Sequence, residues 1–444
     1  MVSRGIRRRM GLVALVAGLG LAGGCGDAEP ADQVADECSP FAAYLGHEGA
    51  KVTLYSSITD VLADKLQRSW EKFSECTEIT IDYEGSTDFE KQLVERVDAG
   101  RPPDLTIFPQ PGLLASMARR GELQPATEQV AKNTDKWWSA DWKTYGTVDG
   151  KFFAAPFTAN VKSFVWYSPK LFTSKGYQVP GSWDEMIALS DKIAASGIKP
   201  WCAGIMSGEA TGWPVTDWLE DVLLRTAGAE VYDQWVAHGV AFDDPRISAA
   251  LDRVGEILKN PAYVNGGFGG VRSIAKTGFQ EGGQPILDHK CAMHRQASFY
   301  ASQWPNGVKI AEDGDIYAFY LPPMGGTKGK PILGAGEFLG AFSDQPAVGA
   351  VTAYLSTPEW VNSVFRLGGM VSANTGSDKS LLLMPIDRLS ADLLTDPDVI
   401  FRFDGSDLMP PAVGVGSFWR GMTDWINGKP TPAVLSEIES TWPD

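Results

Sequence analysis

Histidine and positive charge are both scarce in this sequence. Only four histidines occur among 444 residues, and His289 and His294 stand five apart, off the spacing that shares a helix face, so no metal site is expected. Lysine and arginine number 39 against 55 acids, and the formal charge of −16 sets the chain against nucleic acid and anionic lipid. Also missing are G-x-S-x-G, H-E-x-x-H, a G-K-[ST] phosphate loop and C-x-x-C. Their absence removes the commonest serine-hydrolase, zinc-protease, nucleotide-binding and thiol-redox readings. After residue 25 no apolar run is long enough to cross a bilayer.

What is present begins at the N-terminus. Residues 1–24 hold a basic head (Arg4, Arg7, Arg8, Arg9), an apolar stretch and the small residues Ala22, Gly23 and Gly24, directly before Cys25. The stretch is too short and glycine-rich to span a ~30 Å hydrocarbon core, so it reads as a removed export signal. It resembles the lipobox of bacterial lipoproteins, with Leu21 one place further from the cysteine than usual. That resemblance implies a lipidated Cys25 and a protein working outside the cytoplasm, anchored to the cell membrane. Loss of four arginines takes the formal charge of the mature chain from −16 to −20. A chain of that length with 44% hydrophobic residues favours two domains.

Setting Cys25 aside leaves Cys38, Cys76, Cys202 and Cys291, an even number that implies two disulfides in an oxidising compartment. Three pairings are open. The expected one joins Cys38 to Cys76 and Cys202 to Cys291.

Residues 25–48 are acidic and aperiodic, and read as a tether. Lys51–Ser56 then reads as a strand, and Leu62, Leu66, Trp70 and Phe73 recur at helical spacing. Ile79, Ile81 and Tyr83 alternate as in a strand; Phe89, Leu93, Val94 and Val97 mark a second helix, stopped by Gly100 before the strand Leu105–Phe108. This order predicts a parallel α/β sheet with ligands beyond its strand ends, at Ser56-Ser57 and Pro109-Gln110-Pro111. Ser182 caps a further helix over 183–195, and the apolar run 335–342 reads as a return to a sheet. Two lobes joined by more than one crossing strand are expected.

Asp217, Glu220 and Asp221 fall on one predicted helix after Glu209. With Glu337 they are the acids a secreted glycoside hydrolase would draw on; a solvated or capping face is the plainer reading. Aromatic surface is abundant: fifteen tryptophans and twenty phenylalanines, of which Trp138, Trp142, Trp213, Phe299, Trp304 and Trp419 stand in polar, loop-like settings. Flat sugar faces stack on such rings while their hydroxyls require amide and carboxylate partners, so an acidic, exported, aromatic-rich chain points to carbohydrate. Pro214 permits a helix start that aims Trp213 and Asp217 into a cleft, with Thr216 beside them. Glu337 and Arg295 are charges within apolar stretches, which a cleft wall or a salt bridge would accommodate.

Taken together, the segments 85–112, 200–225, 291–299, 334–342 and 401–422 resemble the substrate-binding proteins of ATP-driven sugar importers, of the maltose-binding type and its α-glucoside branch. The resemblance implies a type II periplasmic-binding-protein fold of two α/β lobes, hinged around a ligand cleft. The N-terminal lobe would comprise 49–157 plus about 333–372, and the helix-rich C-terminal lobe 158–332 plus about 373–444. Pro156-Phe157 would form the first crossing. Gln110 and Asn160 would contact sugar hydroxyls, and Phe299 and Trp419 would stack on sugar rings. With Trp213, Asp217 and Glu337 they form the expected substrate site. The implied partners are an α-glucoside or related oligosaccharide and a membrane permease; a polyol is the same-fold alternative. No cofactor, no metal and a monomer are expected.

Overall fold

Val52 and Leu54 point to one face of strand β1 (Lys51–Ser56) and Tyr55 to the other, and each face meets its own apolar cluster. A strand covered on both sides belongs to the interior of an α/β sheet. In the computed structural model, which describes residues 37–325, 329–396 and 398–443, β2 (Thr80–Gly85) and β3 (Leu105–Phe108) flank β1 in parallel. The expected export signal, Cys25 and most of the expected acidic tether lie outside the described residues.

The chain continues through a small hairpin, β4 (Thr147–Val148) and β5 (Lys151–Phe152), into β6 (Ala154–Val161). A second sheet holds β7 (Phe164–Tyr167), β8 (Lys199–Cys202), β9 (Cys291–Arg295) and β10 (Tyr317–Tyr320), in the order β10-β7-β9-β8. Then β11 (Lys330–Ala341) returns to the first sheet, whose order is β12-β11-β3-β1-β2 with β6 also on β11; β12 is Val399–Phe403. β11 is antiparallel to β3 and β6 and parallel to β12. The chain therefore passes between the lobes three times, along β6, β11 and β12.

One irregularity shapes the crossing. Glu337 pairs with Thr158 but Phe338 pairs with Pro156, so Phe157 is an extra residue on β6. Proline has no N–H to give a ladder and is at home beside such a bulge. Phe157 turns its ring onto Trp360, with centroids 4.0 Å apart.

The second lobe packs around the buried helix Trp213–Thr226, with Trp166, Trp201, Trp218, Trp235 and Trp425 in one continuous core. Cys202–Cys291 joins the neighbouring strands β8 and β9 of this lobe, and Cys38–Cys76 ties the turn Ser39–Tyr44 to the helix Glu71–Thr77 of the first. Helices Pro346–Leu355 and Pro358–Leu367 return to the first lobe, as does more of the chain than the boundary near 372 implied. Leu382 and Ala391 still belong to the first core, while Ile386 and Leu393 pack in the second, because the helix Pro385–Thr395 lies between the lobes with an apolar side toward each. Among the described residues no helix is long and apolar enough to cross a membrane.

Candidate functional site

Between the lobes lies a cleft holding about 1260 Å³ of atom-free space, mouth included. It is open to the loops after β1 and β3, as strand-end logic requires. Of the seven expected substrate contacts, six line it: Gln110, Asn160, Trp213, Phe299, Glu337 and Trp419.

The second lobe supplies an aromatic wall. Trp213 meets Phe279 edge-on at 5.2 Å and Phe299 at 6.1 Å between ring centroids. Trp419 opens the helix Trp419–Ile426, directly after a π-helical turn, Val413–Phe418, and its indole nitrogen is buried without a hydrogen-bond partner. Gly212 brings the two tryptophans together. Its φ is +118°, and a β-carbon there would stand 2.0 Å from the Trp419 carbonyl oxygen, so only glycine allows the two segments to touch.

The first lobe and the crossing strands supply polar groups. Gln110, buried before the helix Pro111–Arg119, donates its side-chain amide to Glu90 at 2.7 Å, leaving its side-chain carbonyl oxygen unpartnered. Glu337 lies beside the β6 bulge with Oε2 unpartnered. Burial pushes its carboxyl up to about 7, against the opposing pull of its own backbone, the Lys162 charge and the Asn160 side chain.

Beneath the cleft runs a buried chain of alternating charges. Lys162 donates to Asp217 at 2.9 Å and also to Asp404; Arg295 donates to Asp217 at 3.1 Å and to Asp221 at 2.8 Å; Arg225 also donates to Asp221. The Lys162 ammonium sits 5.3 Å from the centre of the Trp213 ring, so the chain props the aromatic wall from below. Lone charges at such depth are prohibitively costly; each here has a partner of opposite sign.

This arrangement corrects the reading of Asp217. Its side chain has no solvent exposure and does not reach the cleft; both oxygens are taken up by Lys162 and Arg295, and burial pushes its carboxyl up to about 6. It supports the site from one layer below. Nor do Glu220 and Asp221 form a solvated face. Glu220 accepts the backbone N–H groups of Gly405 and Ser406, and Asp221 accepts from Arg225, Arg295 and Ser163. Glu209 is exposed beside Lys91, so of the five acids a hydrolase would draw on, only Glu337 faces the cleft. Arg295 belongs to the salt-bridge chain, and Trp138, Trp142 and Trp304 are core.

Glu90, Lys162, Phe279, Asp404 and Asp407 also line the cleft and were not anticipated. Asp407 is pushed well up by burial and by the neighbouring negative charge of Asp404. Asp217, Glu220 and Asp404 bring carboxylate oxygens within 4.8 Å of one another. The Lys162 ammonium already bonds two of the three, which supplies the cation this cluster needs.

Two lobes, three crossing strands and a cleft walled by aromatics on one side and carboxylates and amides on the other define a two-lobed solute-binding protein. The profile of the family described as bacterial extracellular solute-binding protein matches residues 55–359, and the chain belongs to that family. It is 41% identical over 405 residues, 90% of this chain and 94% of the relative, to the osmoprotective compounds-binding protein GgtB of Synechocystis sp.. It is 37% identical over 397 residues, 83% of this chain and 82% of the relative, to the alpha-glucosides-binding periplasmic protein AglE of Rhizobium meliloti. Solved structures with this fold include the bacterial solute receptor AcbH, with TM-score 0.73 and 20% identity over 89% of this chain and 97% of that one. RafE in complex with raffinose is another, with TM-score 0.68 and 18% identity over 88% and 98%.

Proposed function

We propose that this protein captures a short α-linked glucoside outside the cytoplasm and hands it, chemically unchanged, to the membrane permease of an ATP-driven importer, while held to the membrane through lipidated Cys25. The observation that carries this reading is the pairing, across one cleft, of the Trp213–Phe279–Phe299–Trp419 wall with Gln110, Asn160 and Glu337. Stacked rings favour the flat face of a pyranose, and the opposed acceptors match its hydroxyl rim. The names of AglE and GgtB, which bind alpha-glucosides and osmoprotective compounds respectively, support a small glycoside as cargo. Three strands crossing between the lobes support hinge closure around it, giving the permease a shape that differs between loaded and empty protein.

The test is thermal unfolding of the mature chain against maltose, trehalose, sucrose, maltodextrins, glucose and glycerol. A ligand at 100 times its Kd adds about 2.7 kcal/mol to the folded state and raises Tm by a few degrees. A shift with one or two α-glucosides recovered intact is the expected result. A shift with glycerol alone moves the cargo to polyols, and recovery of cleaved sugar replaces the reading with hydrolysis.

A further inference from the structure

The polar lining of the cleft is one-sided. Asp60, Glu90, Glu337, Asp404 and Asp407 face it, against a single cation among the described residues, Lys162. Lys162 already donates to Asp217 and Asp404, and the Gln110 amide donates to Glu90. What Gln110 still offers is a carbonyl oxygen on a side chain only 4% exposed, without a partner. The corner formed by Glu90, Gln110, Asp404 and Asp407 therefore presents acceptors and negative charge. Burial, and after it the charges of Asp404 and Glu90, push Asp407 up, and burial pushes Glu90 up, so the corner's own carboxyls already resist taking on negative charge. An anion entering the corner meets the same field, little weakened where water is displaced.

Resting on the glycoside reading above, we propose that this corner selects cargo by charge. It receives a ring bearing hydroxyl or ammonium donors and turns away a ring bearing a carboxylate. Hydroxyls and ammonium protons satisfy the orphan Gln110 oxygen and the carboxylates beside it, whereas a carboxylate offers no donor and sets like charges together. The selectivity lies in the repulsive element as much as in the attractive ones.

Isothermal titration at pH 7.5 in 150 mM NaCl tests this on the mature chain. The tightest binder among maltose, trehalose and sucrose is compared with two derivatives made on each ring in turn: the C6 carboxylate, nearly isosteric with the parent, and the C6 amine. The expected result is at least thirtyfold weaker binding for the carboxylate on one ring, with the amine on that ring within threefold of the parent or tighter. In Asp407→Asn and, independently, in Glu90→Gln, the carboxylate penalty shrinks below tenfold. Carboxylates on both rings that bind within threefold of the neutral sugar overturn the proposal, as does an amine that weakens binding as much as the carboxylate, which marks a purely steric effect. Absence of binding by every neutral sugar overturns the glycoside reading itself, and this proposal with it.

Discussion

Glu337→Gln is expected to stabilise the empty protein while weakening its site. The Glu337 carboxyl ionises near 7 in the folded protein, against 4.5 for the same group unfolded. Its proton is thus held more tightly in the native state, and stability falls as the pH rises through the interval from 4.5 to 7. At 1.36 kcal/mol per pKa unit, the ionised carboxylate costs about 3 kcal/mol of stability above pH 7 and nothing below 4.5, where both states are protonated. Glutamine is neutral throughout and similar in size. Urea unfolding without ligand, followed by tryptophan fluorescence at pH 4.5 and pH 8, should give equal stabilities at the lower pH. At the higher pH the variant should be more stable by up to about 3 kcal/mol, with an unchanged m-value. A variant no more stable than the parent at pH 8 refutes the reasoning. The sugar titration should show the opposite trend, because a carboxylate accepts hydroxyl hydrogen bonds more strongly than an amide.

Trp213→Ala should weaken sugar binding by about 1–3 kcal/mol, measured by titration calorimetry, and an unchanged Kd would remove that ring from the site. Lys162→Met leaves Asp217 and Asp404 buried beside each other without their shared cation. It should cost about 3–5 kcal/mol in urea unfolding, partly recovered by adding Asp404→Asn. Reducing the disulfides should lower Tm, and a Cys202→Ala/Cys291→Ala variant should lose more than Cys38→Ala/Cys76→Ala. The first pair spans 89 residues and the second 38, for chain-entropy losses of up to about 5 and about 4 kcal/mol. Equal losses, or the reverse order in calorimetric scans, would show that local packing outweighs loop length.

The first lobe was legible because its signals are local. The alternation in β2 and the helical spacing of Phe89, Leu93 and Val97 each lie within one element, and those elements stand where the sequence placed them. Trp213 and Phe299 could be nominated singly, since large rings in polar loops are conspicuous. Their partner Phe279 could not, because it meets them only after Ser207–Thr211 and Gly278–Glu281 have been folded against each other by the Met206–Thr277 and Phe279–Met206 backbone bonds. Asp217 was misjudged for a related reason. Its placement on the helix Trp213–Thr226 was sound, but spacing along a helix does not reveal that Lys162 and Arg295, 55 and 78 residues away, turn its face into the interior. Asp404 and Asp407 gave no signal of their own within 401–422, being ordinary acids in a short turn until β12 brings them to the cleft lining.

Strand β11 lies at the centre of the first sheet, hydrogen-bonded to β3, β6 and β12, and it does so from residues 330–341. The pairing of Leu339 with Ile107 joins positions more than half the chain apart. The N-terminal lobe thus cannot complete itself as the N-terminal part of the chain is made, and three quarters of the polypeptide must be in hand before its sheet can close. For a member of an extracellular solute-binding family this delay is useful: a chain whose sheet closes late stays threadable, and non-local pairing keeps it open until it has reached a compartment in which both disulfides can form.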